Sequence, residues 1–227
     1  NASNPATVAA AGGTATISAS ASQTVSFTSG GSRPGSVSIA YAQKAPVSGF
    51  SLSGNKVTVA ANNSTSARSY VVTVTATGEG SKSASKEVTV SQAAGARTYS
   101  AITLNVSYPT IPAKGGTVTP TVTYSQTWGW NGSTTGGGTI TSGGTIAYSG
   151  TSVSTSNGAV TAGTKGTTVS GVTTVTTATV QVTLNGKTAS KQVAVRQQAN
   201  SATYGNVTLN ASNPATVAAA GGTATIS

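Results

Sequence analysis

The sequence predicts an all-β chain of two tandem antiparallel sandwiches, followed by the opening strands of a third. Three observations predict it. First, residues 1–18, NASNPATVAAAGGTATIS, recur unchanged at 210–227, a period of 209 residues. Second, a fainter copy lies halfway. RTYSAITLNVS (97–107) matches ATYGNVTLNAS (202–212), SQTVSF (22–27) matches SQTWGW (125–130), and SKSASKEVTVSQ (81–92) matches GKTASKQVAVRQ (186–197). The period is therefore two diverged modules of about 105 residues each, an old duplication followed by recent copying of the pair. Third, no apolar stripe with a 3.6-residue period is sustained anywhere. Short alternating runs rich in Val, Thr, Ile and Tyr recur instead between Gly, Ser and Asn clusters.

The repeats divide the chain into 1–94, 95–199 and 200–227. In the first module the strand candidates are Thr14–Ser18, Thr24–Thr28, Ser36–Tyr41, Lys56–Ala60, Tyr70–Thr77 and Lys86–Gln92. In the second they are Ser100–Ser107, Gly116–Tyr124, Gly138–Thr141, Thr145–Ser149, Val172–Leu184 and Lys191–Gln197. Val172–Leu184 is long enough to bend or to cross between sheets. Turns are expected at Gly12-Gly13, Gly30-Gly31, Ser53-Gly54-Asn55, Gly78–Gly80, Gly143-Gly144 and Asn185-Gly186. Alternation gives each strand one face to bury, as in Tyr70/Val72/Val74 against Val71/Thr73/Thr75. Several short strands in about 100 residues read as an immunoglobulin-like sandwich, without the cysteines and tryptophan of antibody domains.

Composition removes most catalytic chemistry. The 227 residues contain no Cys, His or Met, and only Glu79 and Glu87 are acidic. That leaves no imidazole base, no thiolate and none of the common zinc ligand sets. Paired-carboxylate hydrolysis and a carboxylate calcium cage fall with them. No enzyme and no cofactor is expected. The absence of cysteine is compatible with an exported protein indifferent to redox conditions. Charged residues are 6% of the chain, against roughly 25% in ordinary soluble domains. Mean hydropathy is +0.01, and no apolar stretch approaches the roughly 18 residues of a spanning helix.

The Tyr-x-x-[Ile/Val]-Thr-Leu-Asn opening resembles that of the Ig-like repeats of bacterial surface proteins, including the BACON-type modules common in Bacteroidetes. So do the Gly-Gly-Thr turn, the strand around SQTW, the stretch TSARSYVVTVTATGEG and the closing Val-x-Val-x-Gln. The second module departs most, with the Gly-rich 132–144. That family includes adhesin stalks and glycan-binding modules, so the resemblance implies a cell-surface, extracellular location.

Few residues stand out as sites. Trp128 and Trp130, spaced by two, project from one face of a strand. Beside Asn131 they could form a coplanar sugar-stacking platform. The same positions hold Val25 and Phe27 in the first module, which points instead to packing in the core or between modules. Tyr99 and Tyr204 fall at equivalent junctions and, with Val207 and Leu209, are candidates for packing one repeat on the next. The net charge of +10 comes from twelve Lys and Arg scattered singly, which suits solubility and blunted strand edges rather than nucleic acid. A Lys–Asn isopeptide cross-link needs a buried carboxyl. The second module has none, and both glutamates of the first should be exposed.

Asn1 begins in mid-repeat, so the first module's opening strand is absent or supplied by a preceding copy. One expectation is a window on a longer covalent array. The other is a subunit whose last strand pairs with the next subunit, as in donor-strand polymerisation. Both make the chain a structural repeat of an extracellular bacterial filament or adhesin stalk, partnered by further copies of itself, with each sandwich adding on the order of 30–45 Å. A glycan-binding surface module or a phage appendage are the alternative readings.

Overall fold

A computed structural model describes residues 1–167, 171–212, 219–221 and 223. Of the opening strands expected in 200–227, residues 200–212 carry no strand, and most of 213–227 lies outside the described residues. Among those residues there is no α-helix, only strands and one short 3-10 turn at Glu79–Ser81.

The first module contributes β1 (Ala2–Ser3), β2 (Gly13–Thr16), β3 (Ser18–Ala19), β4 (Thr24–Ser26) and β5 (Ser32–Pro34), then β6 (Val37–Gln43), β7 (Phe50–Ser53), β8 (Lys56–Val59), β9 (Arg68–Gly78) and β10 (Ser83–Gln92). Sheet β10-β9-β6 faces sheet β2-β8-β7. These are the two strand sets of an immunoglobulin-type sandwich. The alternating sequence dictates what lies between them. Tyr70, Val72 and Val74 on β9 meet Val57 and Val59 on β8 in one core, while Val71, Thr73 and Thr75 stay half-exposed. Phe50 stacks on Tyr70 at 4.8 Å across the two sheets. Each fully buried valine contributes about 1.5–3 kcal/mol of transfer free energy.

The second module repeats the plan with β11 (Arg97–Tyr99), β12 (Thr103–Ser107), β13 (Gly116–Val118), β14 (Thr121–Trp130), β15 (Gly136–Ile140), β16 (Thr145–Ser149), β17 (Val160–Ala162), β18 (Thr173–Leu184) and β19 (Lys187–Gln197). Sheet β16-β18-β19 corresponds to β6-β9-β10, and the pair β13-β17 to β2-β8. The long β18 does not cross between sheets. It stays beside β19 and takes up its length in a register shift between Thr174 and Thr176. The run expected as one strand over Gly116–Tyr124 is two. Pro120 cannot donate to a ladder, and the chain changes partner there, from β17 to β12.

Each sandwich is closed by a buried glutamine at the end of its last strand. Gln92 Nε2 donates to the carbonyls of Ala60 (2.8 Å), Ala9 (3.4 Å) and Ala10 (3.5 Å). Gln197 Nε2 donates to those of Gly163 (2.8 Å), Pro112 (3.2 Å) and Ala113 (3.5 Å). The same strand ends form parallel bridges to Val8 and to Ile111. One carboxamide thus ties two loops, residues 9–10 to residue 60 in the first module and 112–113 to 163 in the second, to the end of the last strand.

A second pair of glutamines holds the far ends of the modules. Gln23 brackets Glu79, donating from Nε2 to its carbonyl (3.0 Å) and accepting its N–H (2.7 Å). Gln126 accepts from Asn185 Nδ2 in the corresponding turn (3.0 Å). The Glu79 carboxylate takes a two-pronged contact from Arg33 (2.9 and 2.6 Å) and the N–H of Ser36 (2.9 Å). Those bonds to its charged form lower its pKa to about 2.

Replacing Gln92 with Leu should destabilise the first module by about 1–3 kcal/mol, the cost of the lost carboxamide hydrogen bonds and of a Tyr70 hydroxyl left without its acceptor. Gln197→Leu should do the same to the second, each moving one unfolding transition in denaturant and leaving the other. Because the folded-state pKa of Glu79 lies below its unfolded value, its contribution is complete above about pH 4.5 and is lost as pH falls toward about 2. Thermal melts across that window should show the first module losing stability more steeply than the Glu79→Gln variant does.

Candidate functional site

The described residues bring Trp128, Trp130 and Asn131 to the boundary between the two modules. Three features of the sequence build the site. The β14 strand carries both tryptophans on one face. Its other edge pairs with β11, placing Arg97 opposite Trp130 and Tyr99 opposite Trp128. Past Trp130 the chain turns at Asn131, whose φ of +56° is in the left-handed region that Asn tolerates better than most residues.

The aromatic pair is not coplanar. The rings meet edge to face, 5.6 Å between centroids and 72° between planes. The Arg97 guanidinium lies 4.5 Å from the Trp128 centroid and 5.6 Å from that of Trp130, a cation–π arrangement of about 0.5–1 kcal/mol where partly exposed. The Trp128 ring also lies against the Gly137 backbone, where any Cβ would collide with it. Both indoles are half-buried. The flat two-ring surface expected of a sugar platform is thus not the arrangement present. Phe27, in the Trp130 position of the first module, is 50% exposed rather than core.

Asn131 is the residue that joins the modules. Its N–H donates to Ala96 O (2.8 Å), and its Oδ1 accepts the Ala96 N–H (3.2 Å). Its Nδ2 reaches into the first module, donating to the carbonyls of Ala10 and Asn62 at 3.3 Å each. Gly95 lies beneath. It donates its N–H to Ser64 O (2.7 Å), and a Cβ there would fall against Asn62 O and 3.2 Å from Trp130 Cε3. Only glycine lets the backbones approach so closely. Asn62 itself is fully buried, with Nδ2 donating to Ser66 O and Ala93 O.

Tyr99 is half-buried in β11. Tyr204, Val207 and Leu209 are not packed in this chain: they are 91%, 96% and 87% exposed. Sequence reasoning missed Arg97, Gly95, Asn62 and the four glutamines. The glutamines had a signal, since Gln23/Gln126 and Gln92/Gln197 recur in register. Asn62 had none, because its place in the second module belongs to Lys165, whose Nζ donates to Gln198 O (3.0 Å) and Gly171 O.

No protein family and no curated protein matches this chain. Solved structures similar to it include a protocadherin gammaB7 EC3-6 cis-dimer, with a TM-score of 0.32 and 12% identity, over 86% of this chain and 45% of that one. Extracellular cadherin domains 3-6 of protocadherin gamma B2 give 0.31 and 13%, over 87% and 45%. Domains 1-5 of the same protein give 0.28 and 14%, over 70% and 31%. The chain spans less than half the length of each of those chains, and the fold assignment above rests on its own strand connections.

Asn131→Gly keeps the backbone conformation and removes three side-chain hydrogen bonds, each worth about 0.5–1.5 kcal/mol. Both modules should stay folded while their mutual alignment, read from residual dipolar couplings, loosens.

Proposed function

We propose that the chain is a structural repeat of an extracellular bacterial filament or adhesin stalk, in which immunoglobulin-like sandwiches extend head to tail and the partners are further copies of the same repeat. Its task is to span distance at a fixed relative orientation of successive modules. The observation that carries the reading is the Asn131 junction. One side chain spends its hydrogen-bonding capacity on the linker and on two first-module carbonyls, and Gly95 is placed where a side chain would push the modules apart. A chain that needed only two independent binding domains would have no use for such a joint.

The unchanged 18-residue segment at a 209-residue period supports the same reading, since recent copying of a module pair lengthens an array without altering its joints. The absence of cysteine suits an oxidising exterior where no thiol has to be protected.

Small-angle scattering of the monomer tests this. A compact globule of this length has a radius of gyration of about 17 Å. Two sandwiches in line, each about 30–45 Å long, should give about 24 Å. A value near the globular figure would overturn the reading.

A further inference from the structure

The residue that joins the modules is followed by glycine, which makes its carboxamide chemically vulnerable. Three Asn-Gly pairs occur in the chain, at 131–132, 157–158 and 185–186. In such a pair no side chain shields the glycine nitrogen, and that nitrogen can close a five-membered ring onto the asparagine carboxamide carbon.

At Asn131 the fold opposes that closure in three ways. Ser133 N–H donates to Trp130 O (3.0 Å), and between them Asn131 and Gly132 have φ of +56° and +95°. This is a type I′ turn, which directs the Gly132 nitrogen away from the Asn131 side chain. The Gly132 N–H is also engaged, donating to Thr98 Oγ1 (3.0 Å). The carboxamide itself is held at both ends, with Oδ1 on the Ala96 N–H and Nδ2 on the carbonyls of Ala10 and Asn62. Asn185 and Gly186 share the left-handed backbone, with φ of +49° and +72°. Among the described residues, however, the Asn185 carboxamide is held only by Gln126 Oε1 (3.0 Å).

We propose that Asn131-Gly132 is a latent deamidation site, protected while the joint is closed, and that its conversion unlocks the joint permanently. The Gly132 nitrogen gives up its proton to water or hydroxide and bonds to Asn131 Cγ. The Cγ–Nδ2 bond breaks and ammonia leaves. Water then opens the cyclic imide to an aspartyl or isoaspartyl residue, with no change of oxidation state. The new carboxylate has no proton to donate, so Ala10 O and Asn62 O lose this donor and face a negative charge instead. A local opening that swings Asn131 off the first module and unwinds the turn exposes the amide, and a joint converted in that state does not close again. Thr98 acts as a positioning residue that holds the nucleophile back.

Incubating the full chain under native, mildly alkaline conditions and mapping its peptides by mass reads each site separately. Asn131 should convert about tenfold more slowly than Asn185, because two further side-chain hydrogen bonds must break first. That gap should vanish in denaturant. Thr98→Val, which keeps a β-branched residue in β11, should speed conversion at Asn131 and leave Asn185 unchanged. Asn131→Asp, a residue type that also tolerates the left-handed region, should keep both modules folded and loosen their alignment in residual dipolar couplings. Equal native rates at Asn131 and Asn185, a gap that persists in denaturant, a Thr98→Val chain that converts like the parent, or parental alignment in Asn131→Asp would each overturn the proposal. The unlocking rests on the fixed joint described under the proposed function, and the outcomes separate the two. A globular scattering radius with Asn131 still protected defeats only the in-line arrangement, and equal rates with an extended radius defeat only the deamidation site.

Discussion

Each sandwich depends on a single buried carboxamide. Sheets facing across a valine layer hold their strands, but hydrophobic burial has no direction and does not fix the loops at the end of the sandwich. Gln92 does, gathering the carbonyls of Ala9, Ala10 and Ala60 with one nitrogen. Tyr70 donates to its oxygen (3.2 Å), so the carboxamide is itself held from the core. Gln197 repeats the nitrogen's contacts in the second module.

The junction is built on what that clamp fixes. Ala10 O, which receives Gln92, also receives the Asn62 N–H and Asn131 Nδ2. Asn62 supplies the other carbonyl that Asn131 uses. Orientation between modules is therefore set by loops already immobilised inside the first one. A joint resting on loops held only by their ends would transmit little of that order, because each rotatable residue adds freedom that a pair of hydrogen bonds cannot remove.

The fold was readable because alternation and repeat length are local or countable properties. The valine-threonine runs became β9, β10, β18 and β19 with their expected faces. What escaped was short or lacked a pattern. Ser32–Pro34 forms a strand only because β4 lies beside it, and Phe50–Ser53 because β8 does. Runs of three or four residues carry too few alternations to stand out from the surrounding Ser and Gly. At the site, the tryptophans and Asn131 drew notice by residue type. Their roles came from contacts 35 to 121 residues away in sequence, which no spacing rule reports. Arg97 was one of twelve scattered cations until β11 set it across from Trp130.

The divergence between the modules follows from the joints. At the first joint the linker supplies Gly95 and the receiving module supplies Asn131. In the register of the repeats, the position of Gly95 in the next linker belongs to Asn200, and that of Asn131 in the first module belongs to Thr28. Asn200 Nδ2 donates to the carbonyls of Lys165 and Gly166 at 3.4 and 3.3 Å, contacting the loop position that Asn131 contacts at Asn62. An amide thus reaches this loop position from the linker itself, and Arg97, which covers the two tryptophans, becomes Ala202 where the ring positions hold Val25 and Phe27. Each substitution makes sense only with its partner. A first-type module following another would meet Gly95 with Thr28 and have no amide at all. Two second-type modules in a row would crowd Asn200 against Asn131. That mutual dependence gives a physical reason for the 18-residue segment to return unchanged at the spacing of two modules rather than of one.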